Sequence, residues 1–151
     1  MLGGVVRFPP EFAARYRAKG YWQDRSLCDT FNELFARHAD RVAVIDRDQA
    51  ITYGQIDQRS TRLALNLLDE GLEPLDRVVV QLPNVVEFVY LYCALQKIGA
   101  IPIMALPTHR FREMSQFIEL SGAVACATPD QTKDFDYREL VRRIRPASKT
   151  L

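Results

Sequence analysis

Cysteine is scarce in this 151-residue chain, and histidine scarcer. The three cysteines, Cys28, Cys93 and Cys126, are odd in number and far apart. That excludes a disulfide framework and points to a reducing compartment, the cytoplasm. The two histidines, His38 and His109, have no Cys, Asp or Glu at ligand spacing, which excludes a zinc-type site. The seven glycines stand at 3, 4, 20, 54, 71, 99 and 122. No three of them match G-x-G-x-x-G, and G-K-[ST] does not occur, so the glycine-rich phosphate loops are excluded. No apolar run is long enough to span a membrane; the best, 88–106, is broken by Gln96, Lys97 and Gly99. The start, residues 1–6, has no basic flank and runs into Arg7 and Pro9-Pro10, so it is not a secretory signal. Twenty basic residues against 19 acidic ones leave a net charge of +1. That balance gives no support for nucleic acid or an acidic membrane as partner.

What is present is an apolar run ending in proline and then a helix-capping residue, three times over: Leu82-Pro83-Asn84, Leu106-Pro107-Thr108 and Thr128-Pro129-Asp130. The runs before the prolines, 77–82 (RVVVQL), 101–106 (IPIMAL) and 124–128 (VACAT), read as buried strands. The segments between them are long enough for helices. This is a βαβαβ ribbon, with all three proline junctions along the carboxyl edge of one parallel sheet. Ligands of open α/β sheets bind along that edge.

Ahead of the ribbon, Pro9-Pro10 and 11–19 predict a short helix stopped by Gly20, with Phe12 and Tyr16 on one face. Ser26 caps a second helix, with Leu27, Phe31, Leu34 and Phe35 as its apolar stripe. The runs 42–45 and 50–53 flank Asp46-Arg47-Asp48 as a hairpin. Thr52 and Gln55 have capping-box spacing for a helix ended by Gly71. Asn84 and Glu87 repeat that spacing for a helix over 85–98 that is apolar almost all round. Such a helix is covered on several sides, which in a chain of this length implies cover from outside it. Thr108 opens a third crossover helix that Gly122 closes, 130–135 reads as a polar connector, and Asp136 with Glu139 caps a helix over 137–145. In a βα register a further strand is due where the sequence stops. The expectation is therefore the front part of a larger protein, with an uncovered sheet edge and face.

Few residues offer chemistry. Cys93 and Cys126 read as buried structural thiols, and Cys28 near a helix start lacks a His–Asp companion. His38 sits at a helix end, facing the last carbonyls. Asp46 and Asp48 fit a turn, and Arg138, Arg142, Arg143 and Arg145 fit the solvent side of the last helix. His109 follows a strand end on the ligand edge. It is either a first-turn residue of a surface helix or part of a loop lining a cofactor or acyl-acceptor path.

Three stretches carry a resemblance: Ile51-Thr-Tyr-Gly-Gln-Ile, Asp76-Arg-Val-Val-Val-Gln-Leu-Pro-Asn, and Leu95-Gln-Lys-Ile-Gly-Ala-Ile-Pro-Ile-Met-Ala-Leu-Pro-Thr-His-Arg. Together they resemble the first core motifs of the adenylate-forming (AMP-binding) enzymes. The opening from Phe8 to Asp24, Leu106-Pro-Thr-His-Arg and Phe135-Asp-Tyr-Arg are similar to the aryl-acid branch of siderophore assembly, the 2,3-dihydroxybenzoate–AMP ligases. The resemblance implies the first portion of the N-terminal α/β domain: a leader over 1–25, then an incomplete subdomain over 26–151 with a partial parallel sheet, crossover helices and a short hairpin. It implies an enzyme that uses ATP and Mg²⁺ to turn an aryl carboxylic acid into its adenylate. The aryl group then passes to the phosphopantetheine thiol of a carrier protein. The family's phosphate loop, aryl pocket and catalytic lysine have no counterpart in these residues, so no catalytic, ATP-binding or metal-binding residue is expected here, and the chain alone is expected to be inactive. By resemblance, Pro107, Thr108 and His109 lie near the pantetheine path. The alternative is a non-catalytic binding or dimerisation module derived from such an enzyme, motivated by the all-round apolar helix.

Overall fold

The computed structural model describes residues 6–147 and 150–151. Residues 1–5, on which the exclusion of a signal segment rests in part, and 148–149 lie outside it. Helices α1 (Pro10–Ala18) and α2 (Leu27–Arg37) precede a hairpin of β1 (Val42–Asp46) and β2 (Gln49–Thr52), then α3 (Tyr53–Asp69). The ribbon follows as β3 (Arg77–Val80), α4 (Val86–Ile98), β4 (Ile101–Met104), α5 (Phe111–Ser121) and β5 (Ala125–Ala127). A small hairpin of β6 (Gln131–Thr132) and β7 (Phe135–Asp136) leads into α6 (Tyr137–Ile144).

The ribbon forms one parallel sheet in the order β4-β3-β5. Val79 pairs with Ile103 on one side and Cys126 on the other. The strands run the same way, so the three proline junctions do share the carboxyl edge. The chain crosses from β3 out to β4, then back over β3 to β5. With right-handed crossovers this puts α4 and α5 on opposite faces. The core shows the same division. Val78 and Val80 pack with Ala64, Leu91, Ala94 and Leu95 from α3 and α4. Val79 points the other way, into Met114, Ile118, Tyr137, Leu140 and Ile144 of α5 and α6. Alternation along four residues of strand thus separates two cores.

Helix α4 corrects an expectation. It is apolar nearly all round, but the chain itself supplies the cover. One side meets the sheet and α3; another, through Val86, Tyr90 and Cys93, packs on Phe35 of α2, Ile51 of β2 and Ile56 of α3. Only Glu87 of α4 is exposed. The observation that motivated a binding or dimerisation module is accounted for inside the fold. Likewise both faces of the sheet carry helices. Its two outer edges, on β4 and β5, have no strand partner among the described residues.

Caps explain where most helices begin. Ser26 Oγ accepts the Asp29 N–H and Asp29 returns the bond to Ser26 N–H, each at 3.0 Å. Thr52 and Gln55 form the expected box. Helix α4 departs from the pattern: Val85, not Asn84, is its N-cap residue, and no side chain at that position caps it. Its first N–H, on Val86, donates instead to Asp46 Oδ2 at 3.0 Å. Thr108 does not cap α5 either; the N-cap residue is Arg110, whose N–H donates to Glu113 Oε2 at 3.0 Å. Residues 130–135 are not merely a connector, because 131–132 pairs with 135–136. At the far end of α4, Gly99 takes φ +72°, which lets Ala100 N–H close on Leu95 O and turn the chain into β4.

Candidate functional site

The carboxyl edge is organised around the turn over residues 106–110, which follows β4. The three residues the sequence nominates, Pro107, Thr108 and His109, are adjacent there. Pro107 and Thr108 are exposed and His109 is half-buried. The Leu106 N–H donates to Nδ1 of His109 at 3.0 Å, and the His109 N–H donates to Leu106 O at 3.0 Å. The ring edge of His109 rests against Phe117, with 5.1 Å between centroids. With Nδ1 accepting, the ring proton resides on Nε2, which is left as a donor.

Two residues that sequence reasoning did not nominate hold this turn. Gln81 follows β3 and is fully buried. Its Nε2 donates to Leu106 O and to His109 O, each at 2.9 Å. Its Oε1 is buried with no hydrogen-bond donor among the described residues. An unsatisfied buried carbonyl of this kind costs about 1–3 kcal/mol. Tyr137, at the start of α6, donates its hydroxyl proton to Pro107 O at 2.9 Å. The signal for Gln81 was the lone polar residue ending RVVVQL; Tyr137 lies in the Phe135-Asp-Tyr-Arg stretch, but its helical spacing with Leu140 and Ile144 reads as core.

Arg110 completes the arrangement. Its Nη1 donates to Pro107 O and His109 O, at 2.8 and 2.9 Å. Its guanidinium lies 3.9 Å from the centre of the Phe135 ring. Beyond it opens an apolar groove of about 400 Å³, walled by Phe111, Phe135 and Leu140 and edged by Arg143, whose guanidinium is 4.9 Å from the Phe111 ring. Donated backbone N–H bonds hold the carboxyls of Glu113 and Asp136 below their ordinary values. A larger groove, about 660 Å³, lies at the amino end of the sheet beside Cys28, Lys97 and Pro102. It lies at the other end of β4 from this turn, and Lys97 there is engaged by Asp57 and Thr61.

The remaining candidates are dispersed. Cys126 is in β5, where burial pushes its thiol up to about 11; burial in α4 also raises that of Cys93. His38 ends α2 with its ring tilted toward Tyr53, 6.0 Å away. Arg138, Arg142, Arg143 and Arg145 are exposed.

These residues do not fit ATP or Mg²⁺. Two of the three strand ends on the ligand edge present leucine and proline, with no glycine nest to cradle a phosphate. No group of three or more His, Cys, Asp or Glu is placed to hold a metal ion among the described residues. No helix among them is long and apolar enough to cross a membrane.

Comparison with known proteins shows the family and the fold. The sequence profile described as AMP-binding enzyme matches residues 31–151. Over 151 residues the chain is 48% identical to triostin synthetase I of Streptomyces triostinicus, and 38% identical to 2,3-dihydroxybenzoate-AMP ligase of Bacillus subtilis. Each alignment covers the whole chain but only 29% and 28% of those proteins. The apo structure of MbtA from Mycobacterium smegmatis superposes with a TM-score of 0.84 at 42% identity, covering 95% of this chain and 27% of that one. The chain thus spans less than a third of the length of the relatives it matches.

Proposed function

The chain belongs to the AMP-binding enzyme family, and from that membership we propose that it forms the scaffold segment of an aryl-acid adenylating ligase of siderophore assembly. The whole enzyme joins an aryl carboxylate to the α-phosphorus of ATP with loss of pyrophosphate. The thiol sulfur of a carrier protein's phosphopantetheine then attacks the acyl carbon, AMP leaves, and the thiol proton is released. The logic is that a carboxylate is a poor acyl donor and a mixed anhydride a good one. ATP, Mg²⁺ and the aryl acid are handled by residues outside this chain, which by itself is inactive. Residues 1–25 act as a leader and 26–151 as part of the α/β subdomain, in the cytoplasm.

The observation that supports this reading is the fastened turn over 106–110 on a carboxyl edge that lacks any phosphate cradle. It suits a wall of the thiol path rather than a nucleotide site, with Pro107, Thr108 and His109 as the residues nearest the thiol. The substrate we favour is 2,3-dihydroxybenzoate, with salicylate as its competitor. The test is aryl-acid-dependent ATP–pyrophosphate exchange by the whole enzyme. Exchange stimulated by 2,3-dihydroxybenzoate is expected. Exchange stimulated only by aliphatic acids would reject the aryl reading, and a preference for salicylate would change the substrate alone.

A further inference from the structure

The turn over 106–110 is exposed, yet it is fastened by more side chains than its position requires. The carbonyls of Leu106, Pro107 and His109 each accept a side-chain donor, from Gln81, Tyr137 and Arg110. Gln81 holds the central place. Its own N–H donates to Ala127 O at 2.9 Å, which ties it to β5. Alternation from Val79 puts its side chain on the α5 and α6 face, beneath the turn. A primary amide has two N–H hydrogens, and here each has one carbonyl acceptor. Reversing the amide would set its oxygen against two carbonyl oxygens, so its orientation is fixed. The sheet, through one buried side chain, therefore sets where the turn lies.

We propose that Gln81 is a positioning residue for thiol transfer. With Tyr137 it holds the turn so that the Nε2–H of His109 faces the incoming phosphopantetheine arm. Gln81 itself touches neither thiol nor adenylate. The proposal rests on the reading of the turn as a wall of the thiol path.

The discriminating variant is Gln81→Met. It keeps length and bulk and removes both donors. Leu106 O retains the His109 N–H and His109 O retains Arg110, so neither carbonyl loses its last partner. Gln81→Glu is the harsher variant, because it turns an oxygen toward both carbonyls. In the whole enzyme, Gln81→Met is expected to leave aryl-acid-dependent ATP–pyrophosphate exchange within about twofold of the parent. The KM for the phosphopantetheine thiol acceptor is expected to rise about fivefold or more, with a smaller change in kcat. Gln81→Glu is expected to exceed it in the same direction. In this chain, amide hydrogen exchange at Leu106 and His109 is expected to quicken about tenfold while Val79 keeps its protection. An unchanged KM for the thiol, or both half-reactions falling in equal proportion, would overturn the positioning role. Unchanged amide protection at 106 and 109 would overturn the clamp itself. A parent enzyme with no exchange on any aryl acid would instead overturn the functional reading, and the thiol role with it, while the amide measurement still decides the clamp.

Discussion

Asp46 Oδ2 accepts the backbone N–H of Val86 at 3.0 Å, so a carboxylate in the β1–β2 hairpin caps a helix that starts 40 residues later. A helix N-terminus carries unsatisfied donors and partial positive charge, and a carboxylate answers both. The contact also ties the hairpin to α4 over Ile51 and Val86 of the same core.

Asp46→Ala should therefore destabilise the chain by about 1 kcal/mol, the usual loss for a removed cap. Asp48→Ala, in the exposed turn two residues on, should change stability by less than about 0.5 kcal/mol. Urea midpoints at constant m-value check both. Equal effects at the two positions would mean that the bond to Val86 contributes nothing.

The thiols should separate by their surroundings. Cys93 is buried, whereas Cys28 and Cys126 are both half-buried; desolvation still holds the thiol of Cys126 near 11 and raises that of Cys93 above its ordinary value. The thiolate is the reactive form. Iodoacetamide at pH 8 should label Cys28 ahead of Cys126 in the native chain, and Cys93 only when urea opens it; peptide mapping shows the order. The same shift has a stability consequence. A thiol whose folded value lies above its unfolded value stabilises the fold fully below about pH 9 and loses that contribution as pH rises toward 11. Cys126→Ala should flatten this alkaline fall in stability.

Acid should act at three helix starts. Asp29 is held below its ordinary value chiefly by the Ser26 hydroxyl, Glu113 by the Arg110 N–H, and Asp136 by the Glu139 N–H. Carboxyls lowered in the folded chain stabilise it above their unfolded values, about 3.8 for Asp and 4.5 for Glu. That contribution disappears as pH falls through the folded values. Urea midpoints should fall steadily below about pH 4. Asp136→Asn keeps an oxygen for the Arg138 and Glu139 N–H groups but cannot titrate. It should reduce the slope, and an unaltered slope would remove Asp136 from the account.

Much of this fold can be read from residue order, for local reasons. The three apolar runs, the proline junctions, Ser26, Thr52 with Gln55, and the closing glycines each act within a few residues, and the structure keeps them. One miss is local, the short hairpin over 131–136; the others come from the surroundings of the segment. Asn84 and Thr108 have good cap chemistry, but Val86 finds Asp46 and the turn after β4 delays α5 to Phe111. The apolar circumference of α4 gave no indication of which element covers which side, and α2, α3 and the hairpin turn out to suffice. The candidate turn at 107–109 was legible by resemblance. Gln81 and Tyr137, which fasten it, stand 25 and 30 residues from their acceptors, and spacing carries no information at that range.

The central claim is that this chain builds the scaffold of an adenylating enzyme without its phosphate-handling groups. The most direct measurement is ATP–pyrophosphate exchange by the purified 151-residue chain, given Mg²⁺ and either 2,3-dihydroxybenzoate or salicylate. The account predicts no exchange above background. Sustained, acid-dependent exchange by the chain alone would contradict it.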